Sequence, residues 1–287
     1  MVRMPATLLL ALVTLIADPR PAGGEVEPGP LRMFVLDCGE FRGAEFSEFS
    51  PGSGREGETF DLVDRCYLIR HPDGLLLWDS GIPDVAATWY GRAFLWITGL
   101  GRPEVRLERK LLDQLADLGV SPGDVRYVAF SHLHTDHVGN ANAFAAATWI
   151  VQRRELEAAF SDLGKAARFE PGYYEDLRES KRIEIDGDHD VFGDGSVVVL
   201  STPGHTPGHQ CLLVNLPSGP IVLSGDLWHT ELNRAQRLTP RFNTDREETL
   251  RSMARVEALL SERKARLLIQ HDIESNRDVP LAPAYLE

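Results

Sequence analysis

The sequence predicts an α/β protein, and three observations carry that prediction. Short apolar runs of β type recur along the 287 residues, and several of them end abruptly in a histidine or an aspartate. Between these runs lie segments with apolar residues at helical spacing: Leu107, Leu111, Leu112, Leu115 and Leu118, and later Leu250, Met253, Val256, Leu259 and Leu260. Finally, a chain of this length with 43% hydrophobic residues can bury one large core, and no linker, low-complexity tract or short repeat divides it.

Taken in order, residues 31–36 read as the opening strand of the mature protein, and residues 41–62, rich in Gly, Ser and Glu, as a surface loop or irregular hairpin. Strands at 66–70 and 75–79 follow, joined by a tight turn through His71, Pro72, Asp73 and Gly74. Residues 82–101 lose periodicity but carry Trp89, Tyr90, Phe94, Leu95, Trp96 and Ile97, which suits either a helix packed on the core or a wall for an apolar substrate tail. A helix at 106–118 is closed by Gly119. The run 127–130 reads as a buried strand, 148–152 as a strand and 154–163 as a helix. Residues 164–174 form an interrupted excursion whose Phe169, Tyr173 and Tyr174 could reach the mouth of a site. His189, among Asp186, Asp188 and Asp190, reads as a solvated turn, because the spacing lacks the rest of a calcium loop. Strands at 197–201, 210–215 and 221–224 alternate with turns, and a capping box at 244–247 opens the last long helix.

The chemistry concentrates in Ser131-His132-Leu133-His134-Thr135-Asp136-His137, directly after the run 127–130. A strand that stops and then presents His132, His134, Asp136 and His137 has put several metal-competent side chains on one short loop. Such a loop can feed two adjacent metals if other segments complete them. His205, Asp226 and His271 each stand just beyond another β-type run, which is how a sheet edge assembles a site. Any one of these histidines alone would read as a hydrogen-bonded core residue; the ordered set reads as a metal site. His209 is read instead as structural packing.

This pattern resembles the metallo-β-lactamase superfamily, in its HxHxDH loop, later His, Asp after Gly, and final His, over residues from about 31 to the C-terminus. Within it the chain is similar to the N-acyl homoserine lactonases, through His271-Asp272-Ile273-Glu274 and the strand at 66–70 leading into Leu75-Leu76-Leu77-Trp78-Asp79-Ser80-Gly81. The resemblance implies an αββα sandwich of two mixed β-sheets flanked by helices, one domain over 31–287, with halves meeting in 142–186 and metals at the edge between the sheets. By motif position, His132, His134 and His205 would bind one metal, Asp136, His137 and His271 the other, and Asp226 would bridge them. Asp79 matches a family aspartate that accepts a hydrogen bond near the ligands. Two divalent ions are implied, zinc first, with iron or manganese also suited to imidazole and carboxylate.

The implied reaction is metal-dependent hydrolysis of an ester bond, most specifically opening of an N-acyl homoserine lactone ring in the quorum-quenching manner. Asp136, Asp226 and His229 are the expected catalytic residues. Lactonases carry a tyrosine shortly after the bridging aspartate, whereas Asp226 is followed here by Leu227, Trp228 and His229. A related organophosphate or aryl-ester hydrolase is the second reading, and a non-catalytic metal-binding protein the third. The β-lactamases of the family lack the bridging Asp or carry Cys there, flavodiiron proteins alter the HxHxDH loop, and glyoxalase II types add a basic C-terminal helix.

The net charge of -13 disfavours a nucleic-acid partner and fits a neutral small molecule, or simply a soluble exported protein. Residues 1–24 have Arg3, an apolar stretch at 8–17 and a Pro/Gly-rich break, the layout of a signal peptide rather than a bilayer span or lipid anchor. The expectation is a periplasmic or secreted protein, the alternative being a mis-assigned start with the protein beginning near Met33. Cys38, Cys66 and Cys211 sit in or beside apolar strands, where buried free thiols are the default and a Cys38 to Cys66 bridge fits an oxidising compartment.

Overall fold

A computed structural model describes residues 29–88 and 104–287. The signal-peptide expectation at 1–24 and the aromatic segment at 89–97 lie outside the described residues.

Strands β1 (Arg32–Glu45), β2 (Thr59–His71), β3 (Gly74–Trp78), β4 (Glu104–Arg106), β5 (Val125–Ala129), β6 (Thr148–Gln152) and β7 (Arg182–Ile185) form a seven-stranded sheet. Its order is β4-β1-β2-β3-β5-β6-β7, antiparallel through β3 and parallel from β3 to β7. Strands β8 (His189–Asp190), β9 (Val197–Ser201), β10 (Gln210–Leu216), β11 (Gly219–Leu223) and β12 (Arg266–Leu268) form the second sheet in the order β12-β11-β10-β9-β8, with β11 and β12 parallel. Among the described residues the α-helices are α1 (Phe46–Phe49), α2 (Leu111–Asp117), α3 (Thr135–Val138), α4 (Arg153–Ala159), α5 (Asp162–Ala166), α6 (Glu231–Gln236), α7 (Arg246–Arg263) and α8 (Ile273–Asn276).

Strand periodicity explains the layering. Along β1, β2 and β3, alternate residues Met33, Val35, Ile69, Leu76 and Trp78 turn inward to meet Val199, Leu212 and Leu223 of the second sheet. Their neighbours Phe34, Leu36, Leu68, Leu75 and Leu77 face the other way, onto Leu111 and Leu115 of α2 and Ala158 of α4. The second sheet does likewise, with Leu213 and Val222 packed on Met253, Val256 and Leu260 of α7. Two mixed sheets between helical layers, the expected αββα sandwich, follow from strands that are apolar on both faces. Among the described residues no helix is long and apolar enough to cross a membrane.

Several local expectations are corrected. Of the two readings of 41–62 the irregular hairpin is the one found: β1 and β2 stay paired out to Glu45 and Thr59, with α1 at the tip. The helix expected at 106–118 begins only at Leu111, where the Asp84 carboxylate accepts from the Leu111 N–H at 2.9 Å. The helix expected at 154–163 is two short helices broken around Phe160 and Ser161. The last long helix is capped by Asp245, which accepts from Glu248 N–H, not by Thr244. His71 does flank the tight turn, pairing with Gly74 and accepting from Asp73 N–H at 3.0 Å, but it is buried, stacks on Phe192 with ring centres 3.9 Å apart, and lies 3.0 Å from Asp194 Oδ2. His189 belongs to the edge strand β8, paired with β9.

Cys38 and Cys66 are joined as a disulfide, against the default of free thiols, while Cys211 is free and buried. Cys38 is the extra residue where β1 bulges between Asp37 and Gly39, and the partner strand offers Cys66 opposite Leu36. The bridge closes a loop of 28 residues. A cross-link of that span stabilises the folded chain by about 3–4 kcal/mol if its effect is chiefly to restrict the unfolded state. Denaturant unfolding of the Cys38→Ala/Cys66→Ala variant should therefore show a loss of that order, with reductant destabilising the wild type and leaving the variant unmoved. Equal stability of the two proteins would contradict the bridge.

Candidate metal centre

The polar loops all leave the carboxyl ends of strands on one edge of the sandwich: residues 131–137 after β5, 202–208 after β9, 224–226 after β11 and 269–271 after β12. In this way residues distant in sequence meet. His132, His134, His205 and Asp226 bring ligand atoms within 4.8 Å of one another, and Asp136, His137 and His271 do the same, so each group could hold a metal ion. All the sequence-predicted ligands are brought together.

Asp226 lies between the two groups. Its Oδ2 is 3.6 Å from His132 Nε2 and 3.3 Å from His205 Nε2, and its Oδ1 is 3.2 Å from His137 Nε2 and 3.0 Å from His271 Nε2. Gly225 makes this placement feasible. It has φ +49°, and a Cβ there would come within 2.5 Å of Ser131 Cβ. The Asp226 N–H donates to His209 Nε2 at 3.0 Å, and His209 Nδ1–H donates to the Thr202 carbonyl at 3.1 Å. His209 thus orients the central carboxylate from behind.

The inward nitrogens are selected by what the outer ones touch. His137 Nδ1 is 3.0 Å from Asp79 Oδ2, His271 Nδ1 is 2.8 Å from the Val63 carbonyl, and His134 Nε2 is 2.8 Å from the Ala167 carbonyl. His132 Nδ1 lies 3.1 Å from Ser131 Oγ. Each contact frees the opposite nitrogen for the centre, so His132 Nε2 faces His134 Nδ1 at 2.8 Å and His137 Nε2 faces His271 Nε2 at 3.3 Å. Lone-pair nitrogens crowded in this manner, beside an Asp226 Oδ1 that accepts no hydrogen bond, fit a cation better than they fit one another. The donor set of imidazole and carboxylate therefore suits divalent transition-metal ions.

Electrostatics agree. Burial holds His132 well below the ordinary imidazole range and His134 down to about 3, keeping both as neutral ligands. Burial pushes Asp226 upward, but the surrounding His229, His271 and His137 outweigh it, and its carboxyl stays well below the usual range. Burial likewise opposes charge on His137 and His271, yet Asp226 and Asp136 prevail and raise both, His271 to about 9. The carboxylates draw positive charge into the centre.

Asp79 is the brace that the sequence pointed to. Held at φ +58°, it accepts from Ser131 N–H at 2.6 Å and Ser131 Oγ–H at 3.0 Å as well as facing His137. His229 is buried, lies 2.9 Å from Asp226 Oδ2, and its Nδ1 has no hydrogen-bond partner. It is not a surface loop residue. It lines a pocket with Asp136, Asp226 and His271, whose other walls are Phe41, Phe49, Leu62 and Phe242, with Arg168 and Thr135 at its side. Sequence reasoning missed these wall residues, because Phe41 and Phe49 stand in a stretch whose Gly, Ser and Glu content reads as loop. Among the aromatic residues expected at the mouth, Phe169 backs His134 at 6.0 Å, while Tyr174 is buried and donates to the Ala159 carbonyl. The aspartates near His189 form no such group: Asp190 accepts from Gly193 and Gly195 N–H, and Asp186 pairs with Arg153.

Comparison with known proteins agrees with this geometry. A family model described as the metallo-beta-lactamase superfamily matches residues 62–263. The N-acyl homoserine lactonase AttM of Azorhizobium caulinodans is 31% identical over 270 residues, spanning 90% of this chain and 99% of that relative. An N-acyl homoserine lactonase of a Bacillus species is 34% identical over 234 residues, spanning 80% of this chain and 89% of its own length. A solved N-acyl homoserine lactone hydrolase, with the product N-hexanoyl-L-homoserine at its catalytic metal center, superposes with a TM-score of 0.75 at 27% identity, covering 89% of this chain and 98% of that one.

If Asp79 sets the direction of His137, Asp79→Asn should weaken metal retention by roughly 10–100-fold, the usual cost of losing a partner behind a ligating histidine. Competition with a chromogenic chelator measures this, and wild-type retention would show that Ser131 Oγ, 3.1 Å from His137 Nδ1, and Gln270 Nε2, 3.3 Å from it, suffice to hold the ring.

Proposed function

The chain belongs to the metallo-β-lactamase superfamily, and from that premise we propose that it is a dinuclear metal-dependent hydrolase that opens the lactone ring of N-acyl homoserine lactones. The observation that carries the reading is the double ligand group around the shared Asp226, in a chain whose relatives bear the lactonase name over nearly its whole length. In this reading His132, His134 and His205 would hold one ion and Asp136, His137 and His271 the other, with Asp226 available to both. Zinc is the preferred ion for such imidazole and carboxylate ligands. When bound, the ions supply the charge that polarises an ester carbonyl and lowers the pKa of water.

The chain's own residues do the remainder. Phe41, Phe49, Leu62 and Phe242 offer an apolar wall beside the polar centre, which suits an acyl tail and keeps bulk water from the reacting ester. His229 is the polar group in the wall nearest Asp226, and it stands where lactonases carry a tyrosine. It would hold a substrate oxygen, or a proton destined for the departing alkoxide. Asp136 lines the same pocket and directs its carboxylate toward His137 and His271, with Oδ2 3.8 Å and 3.7 Å away.

The substrate would be a small neutral lactone and the product its open hydroxy acid, and the net charge of -13 disfavours a nucleic-acid partner. We further propose that the protein works outside the cytoplasm. The apolar segment at 8–17 and the Cys38–Cys66 bridge, a bond that persists in oxidising compartments, both support export.

Elemental analysis of purified protein should find two transition-metal ions per chain, with hydrolysis across a panel of N-acyl homoserine lactones. Asp226→Ala should lose at least one ion together with activity. A single ion at full activity, or turnover of β-lactams with no lactone opened, would reject the reading. His229→Ala should keep both ions and lower lactone turnover by roughly 10–1,000-fold, the span for losing one polar catalytic contact. Wild-type kinetics at full metal occupancy would remove His229 from the mechanism.

A further inference from the structure

Glu155 is a buried carboxylate for which the reaction has no use, only 2% exposed on α4. A carboxylate in that setting persists only when its oxygens are well supplied with donors. Among the described residues the donors come from two loops. Oε1 accepts from the Leu133 N–H at 3.1 Å and from the Thr206 hydroxyl at 2.9 Å, and Oε2 accepts from the Gly208 N–H at 2.6 Å. Leu133 lies between His132 and His134, while Thr206 and Gly208 follow His205. Burial pushes the carboxyl up to about 7, against the pull of those three hydrogen bonds.

The contact is also built sterically. A Cβ at position 208 would lie 2.5 Å from Glu155 N and 2.6 Å from Glu155 Cβ, so the loop reaches the helix only because Gly208 has no side chain. The three histidines that meet Glu155's loops form one of the two ligand groups, with Asp226; Asp136, His137 and His271 form the other, and none of these bonds Glu155.

We propose that Glu155 is the positioning residue of the three-histidine metal position: one carboxylate that fastens the His132–His134 loop to the His205 loop and so sets the spacing of their imidazoles. It touches no substrate and acts on one ion position only. The inference rests on the dinuclear reading above.

The test separates the two positions by disabling each in turn. In the full-length chain, His271→Ala leaves the three-histidine position and His205→Ala leaves the other; Glu155→Gln is then added to each. Gln keeps the shape and one acceptor oxygen, but its NH2 cannot accept from the backbone or the hydroxyl. Chelator competition with Co2+ should show Glu155→Gln weakening the ion by roughly 10–100-fold in the His271→Ala background and by less than about twofold in the His205→Ala background. The visible cobalt spectrum should shift only in the first. Equal weakening in both backgrounds, or none in either, overturns the proposal, and circular dichroism of each variant verifies that folded protein is compared. A wild type that binds a single ion refutes the dinuclear reading and this inference with it, whereas two ions in the wild type and no selectivity in the variants refutes the role of Glu155 alone.

Discussion

The arrangement depends on one desolvated carboxylate. Asp226 is 3% exposed and stands among the imidazoles of His132, His137, His205, His229 and His271. A carboxylate removed from water to that degree costs several kcal/mol unless opposite charge and directed donors surround it. Much of the sandwich edge serves that requirement. Gly225 lets the backbone turn close beneath Ser131, His209 takes the Asp226 N–H, and four strands end at the same edge so that the histidines arrive together.

The second layer of contacts matters as much as the ligands. Asp79, the Val63 carbonyl, the Ala167 carbonyl and Ser131 each hold the outer nitrogen of a different imidazole. Three of these partners come from β2, from the turn after β3 and from the segment after α5, so a distant piece of chain decides the tautomer of His137, His271 and His134, while His132 is held by its own neighbour Ser131, which Asp79 in turn holds. The long β1–β2 hairpin links this centre to the substrate side. At one place it carries Val63, which accepts from His271, and at others Phe41, Leu62 and, at its tip, Phe49 of the pocket wall. The Cys38–Cys66 bridge ties the two strands of that hairpin together below the wall.

The apolar wall and the polar centre divide the work of recognition. In the proposed reading an acyl tail would meet the aromatic faces, while the ester would meet carboxylates and imidazoles whose directions are already set. The formal net charge of the whole chain is -13. It adds a general repulsion toward polyanions, which suits a small neutral substrate.

What the sequence by itself determined is what short-range pattern encodes. Strands 148–152 and 197–201 fall where their apolar runs place them, because a short run of β-branched and aromatic residues favours an extended chain whatever surrounds it. The candidate ligands at 132–137 were legible because a metal site needs several donors close together and one loop provides most of them. His205, Asp226 and His271 were legible through the β-type runs that precede them. Tertiary structure alone decided the rest. The Cys38–Cys66 bridge required the β1–β2 register and its bulge. Glu155, in an Arg-Arg-Glu stretch, reads as a solvated helix face until the loops 22 and 53 residues away close over it. Phe41 and Phe49 look like loop residues until the hairpin carries them to the pocket, and His71 looks like a turn until Phe192 stacks on it. In each case the deciding contact joins residues far apart in sequence, and its partner is chosen by strand pairing and packing, which no local periodicity specifies.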